Sequence, residues 1–281
     1  MRTIQAQQIT EAVAKLAIDA NYYLSEDVYN ALVAGKTKEE SPLGREIFDQ
    51  IIKNADIARA EAKPMCQDTG LAVIFVELGQ DAKIEGGSLE AAINAGVAKG
   101  YTDGYLRKSA VAEPLFNRKN TGNNTPAIIH VESVPGDQIK IVLAPKGAGS
   151  ENKSALKMLI PADGVAGVKK FVVETIENAG SNPCPPIVVG VGIGGTMEKA
   201  AYLAKKALIR PLAKRNEHPD YAKLEGELLE LINKTGIGPQ GLGGRITALA
   251  VNIEWYPTHI ASLPVAVNIN CHATRHAEVV L

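Results

Sequence analysis

The sequence is short of aromatic residues, of sulfur and of excess charge, and each shortage closes off a class of function. Phe, Trp and Tyr make up 5% of the chain, too few for the ring platforms on which single-stranded nucleic acids stack. Thirty Lys and Arg oppose 31 Asp and Glu, a net charge of −1. No overall field therefore draws nucleic acid or an anionic membrane surface. No apolar run approaches the roughly 20 residues of a membrane-spanning helix. The start, Met1-Arg2-Thr3-Ile4-Gln5, lacks the apolar segment of a secretory signal. Cysteine is scarce as well. Three thiols, an odd number and widely spaced, make a poor disulfide framework and fit a reducing, cytoplasmic setting.

What is present describes an ordinary globular chain of 281 residues, 46% hydrophobic and 22% charged, long enough to bury a substantial core. Ile4, Ile9, Val13, Leu16, Ala17 and Ala20 recur at helical spacing and predict a helix over residues 3–21. Ser25 reads as the N-cap of a short helix ending near Gly35, and a third runs from Ser41-Pro42 to about Ala62. The pattern then changes. Apolar runs at 71–76, 127–131, 138–143, 187–189, 246–253 and 263–269 read as strands. Helical patterns at 88–99, 165–179, 196–208 and 221–234 lie between them. The turn Pro135-Gly136-Asp137 suggests that the second and third of these strands form a hairpin. The expected fold is α/β: a helical N-terminal region, about 1–62, followed by mixed β-sheets flanked by helices, all in one domain over 1–281.

Chemistry concentrates in Pro64-Met65-Cys66-Gln67-Asp68-Thr69-Gly70, where a thiol, a carboxamide and a carboxylate are consecutive. Cys184 and Cys271 also stand in Pro/Gly-punctuated loops beside apolar strands, 118 and 87 residues further along in turn. No pair has the C-x-x-C spacing of a zinc knuckle or a ferredoxin loop. Spacing alone leaves three readings open: buried thiols, a zinc site and an iron–sulfur cluster, the last being favoured by thiolate softness. A four-iron cluster on three cysteines would leave one iron open as a Lewis acid. The loop Lys146-Gly147-Ala148-Gly149-Ser150-Glu151-Asn152-Lys153 offers close backbone approach and donors for an anion. Gly190-Val191-Gly192-Ile193-Gly194-Gly195 fits G-x-G-x-x-G literally. No second strand with an acidic end follows about 20 residues on, so dinucleotide binding is not expected.

Taken together, several stretches resemble the iron–sulfur class I fumarases and, equally, the α subunits of two-chain fumarase and L-tartrate dehydratase enzymes. They are Cys66-Gln67-Asp68-Thr69-Gly70, Gly149-Ser150-Glu151-Asn152, Asn182-Pro183-Cys184-Pro185-Pro186 with the glycines after it, Gly236-Ile237-Gly238-Pro239-Gln240-Gly241, and Cys271-His272. The resemblance covers nearly the whole chain. It implies a [4Fe-4S] cluster held by Cys66, Cys184 and Cys271, with one iron not ligated by protein. Asp68 would contact the substrate hydroxyl and, raised by a nearby dianion, assist hydroxide loss. Gln67 and Gly149 would bind substrate, Arg107 would grip a carboxylate, and His259 would be a further catalytic residue. His130, His218 and His276 read as structural or solvated, and His272 as a support at best.

The single-chain members of that family continue into a second domain with a threonine base and further cationic substrate ligands. The sequence in hand ends at Val279-Val280-Leu281. The resemblance thus implies a β subunit completing the active site, in a homodimer or an α2β2 assembly. Gly147-Ala148-Gly149-Ser150-Glu151-Asn152-Lys153-Ser154 looks like the fumarase branch, so the expected reaction is reversible hydration of fumarate to (S)-malate, a tricarboxylic acid cycle step. L-Tartrate dehydration is the alternative substrate reading, and a non-catalytic iron–sulfur sensor or assembly protein the alternative of another class.

Overall fold

In the computed structural model, which describes residues 2–281, the chain from residue 6 to residue 61 is almost entirely helical, and mixed sheets with flanking helices follow. The expected α/β class and helical N-terminal region are both observed. α1 (Ala6–Tyr22) buries Ile9, Val13, Leu16, Ala17 and Ala20 on one face, as their spacing requires. Ile4 does not belong to it. It lies in β1 (Arg2–Gln5), because Gln5 and Gln8 form a capping box that starts the helix at Ala6. α2 (Glu26–Lys38) continues past the expected stop at Gly35. A Cβ there would come within 2.9 Å of the Phe48 ring, so this glycine makes room for a neighbour and does not end the helix. α3 (Pro42–Glu61) follows.

The chain divides into two compact units, each assembled from separated stretches. The first comprises the residues up to 24, 55–147 and 275–281; the second comprises 25–54 and 148–274.

In the first unit, β2 (Leu71–Gly79), β4 (Ile128–Val134), β5 (Ile139–Lys146) and β10 (Ala277–Val280) form a sheet in the order β10-β5-β2-β4. A two-stranded parallel pair joins β1 to β3 (Ala82–Glu85). α4 (Leu89–Asp103) starts where the Ser88 hydroxyl accepts the Ala91 N–H. α1 and α4 approach closely: Cβ atoms on Gly96 and Gly100 would each sit 2.6 Å from a carbonyl of α1. Their apolar faces share a core with Ile74, Ile141 and Leu143 of the sheet. β4 and β5 are not the expected hairpin. β2 lies between them, parallel to β4 and antiparallel to β5. The Pro135-Gly136-Asp137 turn instead wraps the end of β2, with the Gly79 N–H donating to Gln138 O and the Asp81 N–H to Gly136 O. Local turn chemistry was satisfied by a strand from far along the chain.

In the second unit the sheet runs β6 (Ala155–Leu159), β9 (Leu263–Asn270), β7 (Ile187–Gly194), β8 (Ala248–Tyr256). All eight residues of β7 are buried, matching a strand covered on both faces. Val189, Val191 and Ile193 share a core with α6 (Gly164–Ala179) and α8 (Pro219–Asn233). The alternate positions, Gly190 and Gly192, face α7 (Met197–Ala207) so closely that a Cβ would lie 2.1 and 2.0 Å from the Ala204 and Ala200 carbonyls. The G-x-G-x-x-G match is thus a strand–helix packing device. Its first two glycines lie inside β7, whereas a dinucleotide fingerprint would need them in the turn beyond it. Glu39, fully buried, ties the glycine-rich loop before β8: its carboxylate accepts the N–H groups of Glu40, Ser41, Arg245 and Ile246.

Candidate active site

Cys66, Gln67 and Asp68 occupy the loop between α3 and β2 in the first unit. The chain is pinned just before them by the Met65 N–H, which donates to Asn21 O, and just after them by the Asp68 Oδ1, which accepts the Gly70 N–H at 3.0 Å. Gly70 is left-handed, φ +72, and its missing Cβ leaves the Lys146 backbone room to cross. Gly147 leaves room for the carboxylate: a Cβ there would be 3.2 Å from Asp68 Oδ2. Cys66 and Asp68 are half-buried and Gln67 is exposed. The loop thus presents a carboxamide outward and holds the carboxylate on the Gly70 N–H.

Three side chains that sequence reasoning missed fix this loop. The Tyr101 hydroxyl, fully buried at the end of α4, lies 2.9 Å from Thr69 O and 3.1 Å from Gly70 O. Burial pushes its pKa well above the ordinary phenol value, against the lowering effect of the Arg275 cation, so Tyr101 remains a donor throughout the neutral range. Arg275, itself buried, donates from Nη2 to Asp68 O at 2.6 Å. Asn124 donates to Gly70 O at 3.1 Å. Arg107 is exposed on the segment after α4, and its carbonyl accepts the Thr69 hydroxyl at 3.2 Å. The structure therefore anchors the Arg107 segment directly to the Asp68 loop. Tyr101 carries a helix-face signal in the sequence. Arg275 and Asn124 carry none, because both work by bonding to backbone.

In the second unit, Cys184 sits in the turn that follows α6. It adopts φ +54, a left-handed conformation unusual for a residue with a Cβ. Its N–H donates to Ser181 O, and its own carbonyl accepts the N–H of His272 at 3.2 Å; the Nδ1 of His272 lies 3.0 Å from that carbonyl and 3.1 Å from the Gln240 Nε2. Gln240 donates from backbone and side chain to Pro185 O, both at 2.8 Å, and is itself left-handed at φ +52. Gly241 lets that loop close on Ser181, where a Cβ would meet Ser181 Cβ at 2.2 Å. The Cys184 turn, the Gly238–Gln240 loop and the Cys271-His272 end of β9 are thus bound together. Cys184 is exposed and Cys271 half-buried, and the three cysteines of the chain form no disulfide.

Gly149 lies in α5 (Ala148–Glu151), where a Cβ would be 3.3 Å from Asn182 O, so this segment also borders the Cys184 turn. Glu151 pairs with Lys205 at 2.6 Å and accepts from Asn268 at 3.0 Å. Its carboxylate is engaged in holding α5 to α7 and β9. His259 stands exposed on the loop between β8 and β9, and its Nδ1 accepts the Ala261 N–H at 3.1 Å. The neutral ring therefore carries its proton on Nε2. Among the described residues no three His, Cys, Asp or Glu side chains are grouped as ligands of a single metal ion. Nor is any helix among them long and apolar enough to cross a membrane.

Comparison with known proteins places this geometry. A family model described as fumarate hydratase (Fumerase) matches residues 10–280. A Methanocaldococcus jannaschii protein named "Putative L(+)-tartrate dehydratase subunit alpha" is 47% identical over 96% of both chains. The L(+)-tartrate dehydratase subunit alpha of Escherichia coli UTI89 is 36% identical over 95% of this chain and 89% of its own. That of Escherichia coli K12 is 34% identical over 98% and 91%. The family match places the chain among the hydro-lyases. The chain belongs to the fumarate hydratase (Fumerase) family, as the resemblance of its motifs implied.

Proposed function

We propose that this chain is the α subunit of a cytoplasmic two-subunit hydro-lyase for four-carbon dicarboxylates, and that L(+)-tartrate, dehydrated to oxaloacetate, is its substrate. The whole of 1–281 serves as the α-type catalytic domain. The observation that carries the substrate is the shared description of the relatives, three of which align over 95% or more of this chain. Hydration of fumarate to (S)-malate, the reaction expected from the sequence, is the second reading. It is favoured by the description of the family model and by Gly149-Ser150-Glu151-Asn152. The two reactions need the same parts: a grip on two carboxylates, an acid beside the departing hydroxyl and a base for the carbon-bound proton.

The cysteines suit an iron–sulfur cluster by their chemistry. All three are thiols outside any disulfide, thiolate is the donor such clusters take, and backbone hydrogen bonds hold the loops that carry Cys66 and Cys184. We assign Cys66, Cys184 and Cys271 as the ligands of a [4Fe-4S] cluster with one iron free of protein. When bound, the cluster supplies a Lewis acid.

The chain's own side chains do the rest. Asp68, fixed by the Gly70 N–H and by Arg275 on its carbonyl, donates the proton that lets hydroxide leave as water. Arg107 holds one substrate carboxylate in a bidentate fork and Gln67 contacts a second polar group. Gly149 offers backbone, and His259 moves a proton through its exposed ring. A β subunit, in a homodimer or α2β2 assembly, supplies the base that takes the proton from carbon.

The test is an anaerobic assay of the assembled two-chain enzyme with L(+)-tartrate and fumarate side by side. The proposal expects oxaloacetate from tartrate, with Asp68→Asn lowering turnover by about 100-fold or more. Turnover of fumarate alone would install the second reading, and turnover of neither would remove the enzyme reading.

A further inference from the structure

The segment that carries Arg107 and the loop that carries Asp68 are some 40 residues apart in sequence, and a buried amide joins them. Asn124 is 1% exposed and left-handed, φ +60. Its Oδ1 accepts the N–H groups of Ser109 (2.7 Å) and Ala110 (3.0 Å), directly after Arg107-Lys108. Its Nδ2 donates to Gly70 O at 3.1 Å, two residues after Asp68. The same two segments are cross-braced by the Thr69 hydroxyl on Arg107 O. Tyr101 holds the Thr69 and Gly70 carbonyls from the opposite element.

We infer that Asn124 is a positioning residue, whose amide sets the spacing between the Asp68 acid and the Arg107 carboxylate grip. The inference rests on the roles proposed above for those two residues. No other side chain type reproduces the arrangement. The site asks for an acceptor shared by two N–H groups and a donor to a carbonyl on one planar head, in a left-handed residue, and Asn meets all three demands. Asp keeps the acceptor and loses the donor. Leu loses both and leaves two buried N–H groups unsatisfied. Asn124 itself is sealed from solvent, so it acts through the segments that it joins. Because positioning on the scale of about 1 Å is worth about 100-fold in rate, a slack bridge should be visible in kinetics without any lost substrate contact.

Two variants separate bridging from simple stability. Asn124→Gly keeps the left-handed backbone and deletes the amide; Asn124→Asp keeps the acceptor alone. In the assembled enzyme each is expected to raise KM for the dicarboxylate about tenfold and to lower kcat/KM by about 10- to 100-fold. Val97→Ala, in the same core, serves as a control of purely structural loss. A smaller folded fraction scales kcat and leaves KM alone. Amide hydrogen exchange on the same proteins supplies a second readout, independent of turnover. Asn124→Asp should speed exchange in the peptide spanning residues 66–71 and leave that spanning 107–111 protected, whereas Asn124→Gly should loosen both. Unchanged KM in both variants, or unchanged exchange at 66–71, overturns the inference. If the wild-type enzyme turns over neither dicarboxylate, the functional reading falls, and the exchange data alone then decide the bridge.

Discussion

At the residue scale, the chain spends buried polar groups on holding loops. Glu39 is the clearest case. Burial pushes its carboxyl pKa up, yet the N–H groups of Arg245, Ser41, Ile246 and Glu40 outweigh that effect and bring it below the usual glutamate value. A lowered folded-state pKa means that Glu39 contributes stability above the unfolded value of about 4.3, and that this contribution is lost as pH falls through the lower folded value. Urea midpoints measured between about pH 6 and pH 3 should therefore decline more steeply for the wild type than for Glu39→Gln, which starts lower and follows a flatter acid limb. Equal slopes would assign the acid sensitivity to other carboxylates. The candidate site divides along the same line. Cys66, Asp68, Cys184 and Cys271 were legible because rare side chains in glycine-rich loops are conspicuous. Asn124 and Arg275 were not, since their partners are carbonyls and N–H groups that every residue possesses.

At the element scale, glycines discriminate between packing and freedom. Gly192 lies in β7 with no space beside it, and a Cβ would reach 2.0 Å from the Ala200 carbonyl of α7. Gly226 lies within α8 with nothing within 4 Å. Gly192→Ala is expected to destabilise the protein by about 3 kcal/mol or more, because helix and strand backbones must separate. Gly226→Ala is expected to stabilise it by about 0.5–1 kcal/mol, the ordinary helix preference. Denaturant titration of the pair checks both signs. Elements with a strong period were readable in advance: α1, α3 and α6 lie where their apolar residues place them, whereas β7 runs five residues past the apolar stretch 187–189. The β4–β5 hairpin was misread because strand pairing is a long-range choice, and β2 is the apolar strand that fits between them. β1, β3 and β10, four residues each, are too short to carry a period. β6, at five residues, is hardly longer.

At the scale of the whole molecule, the sequence gives no sign that the chain is shared between two compact units. No linker marks the divisions at residues 24, 54, 147 and 274, because continuous elements and short loops cross them. α3, for instance, runs unbroken through the second of these. The function proposed here likewise draws on the full span: Cys66 near the first quarter, Cys184 past the middle and Cys271 near the end. The thiols form no disulfide, and no C-x-x-C pair offers a local alternative, so a cluster that needs all three makes a sharp claim. The direct test is anaerobic reconstitution of the chain with iron and sulfide, followed by iron analysis of wild type, Cys66→Ser, Cys184→Ser and Cys271→Ser. The account expects about four irons per wild-type chain, with the broad visible absorption of a thiolate-bound cluster, and loss of both in each variant. Iron binding that survives the loss of any two of these cysteines, taken one at a time, would contradict it.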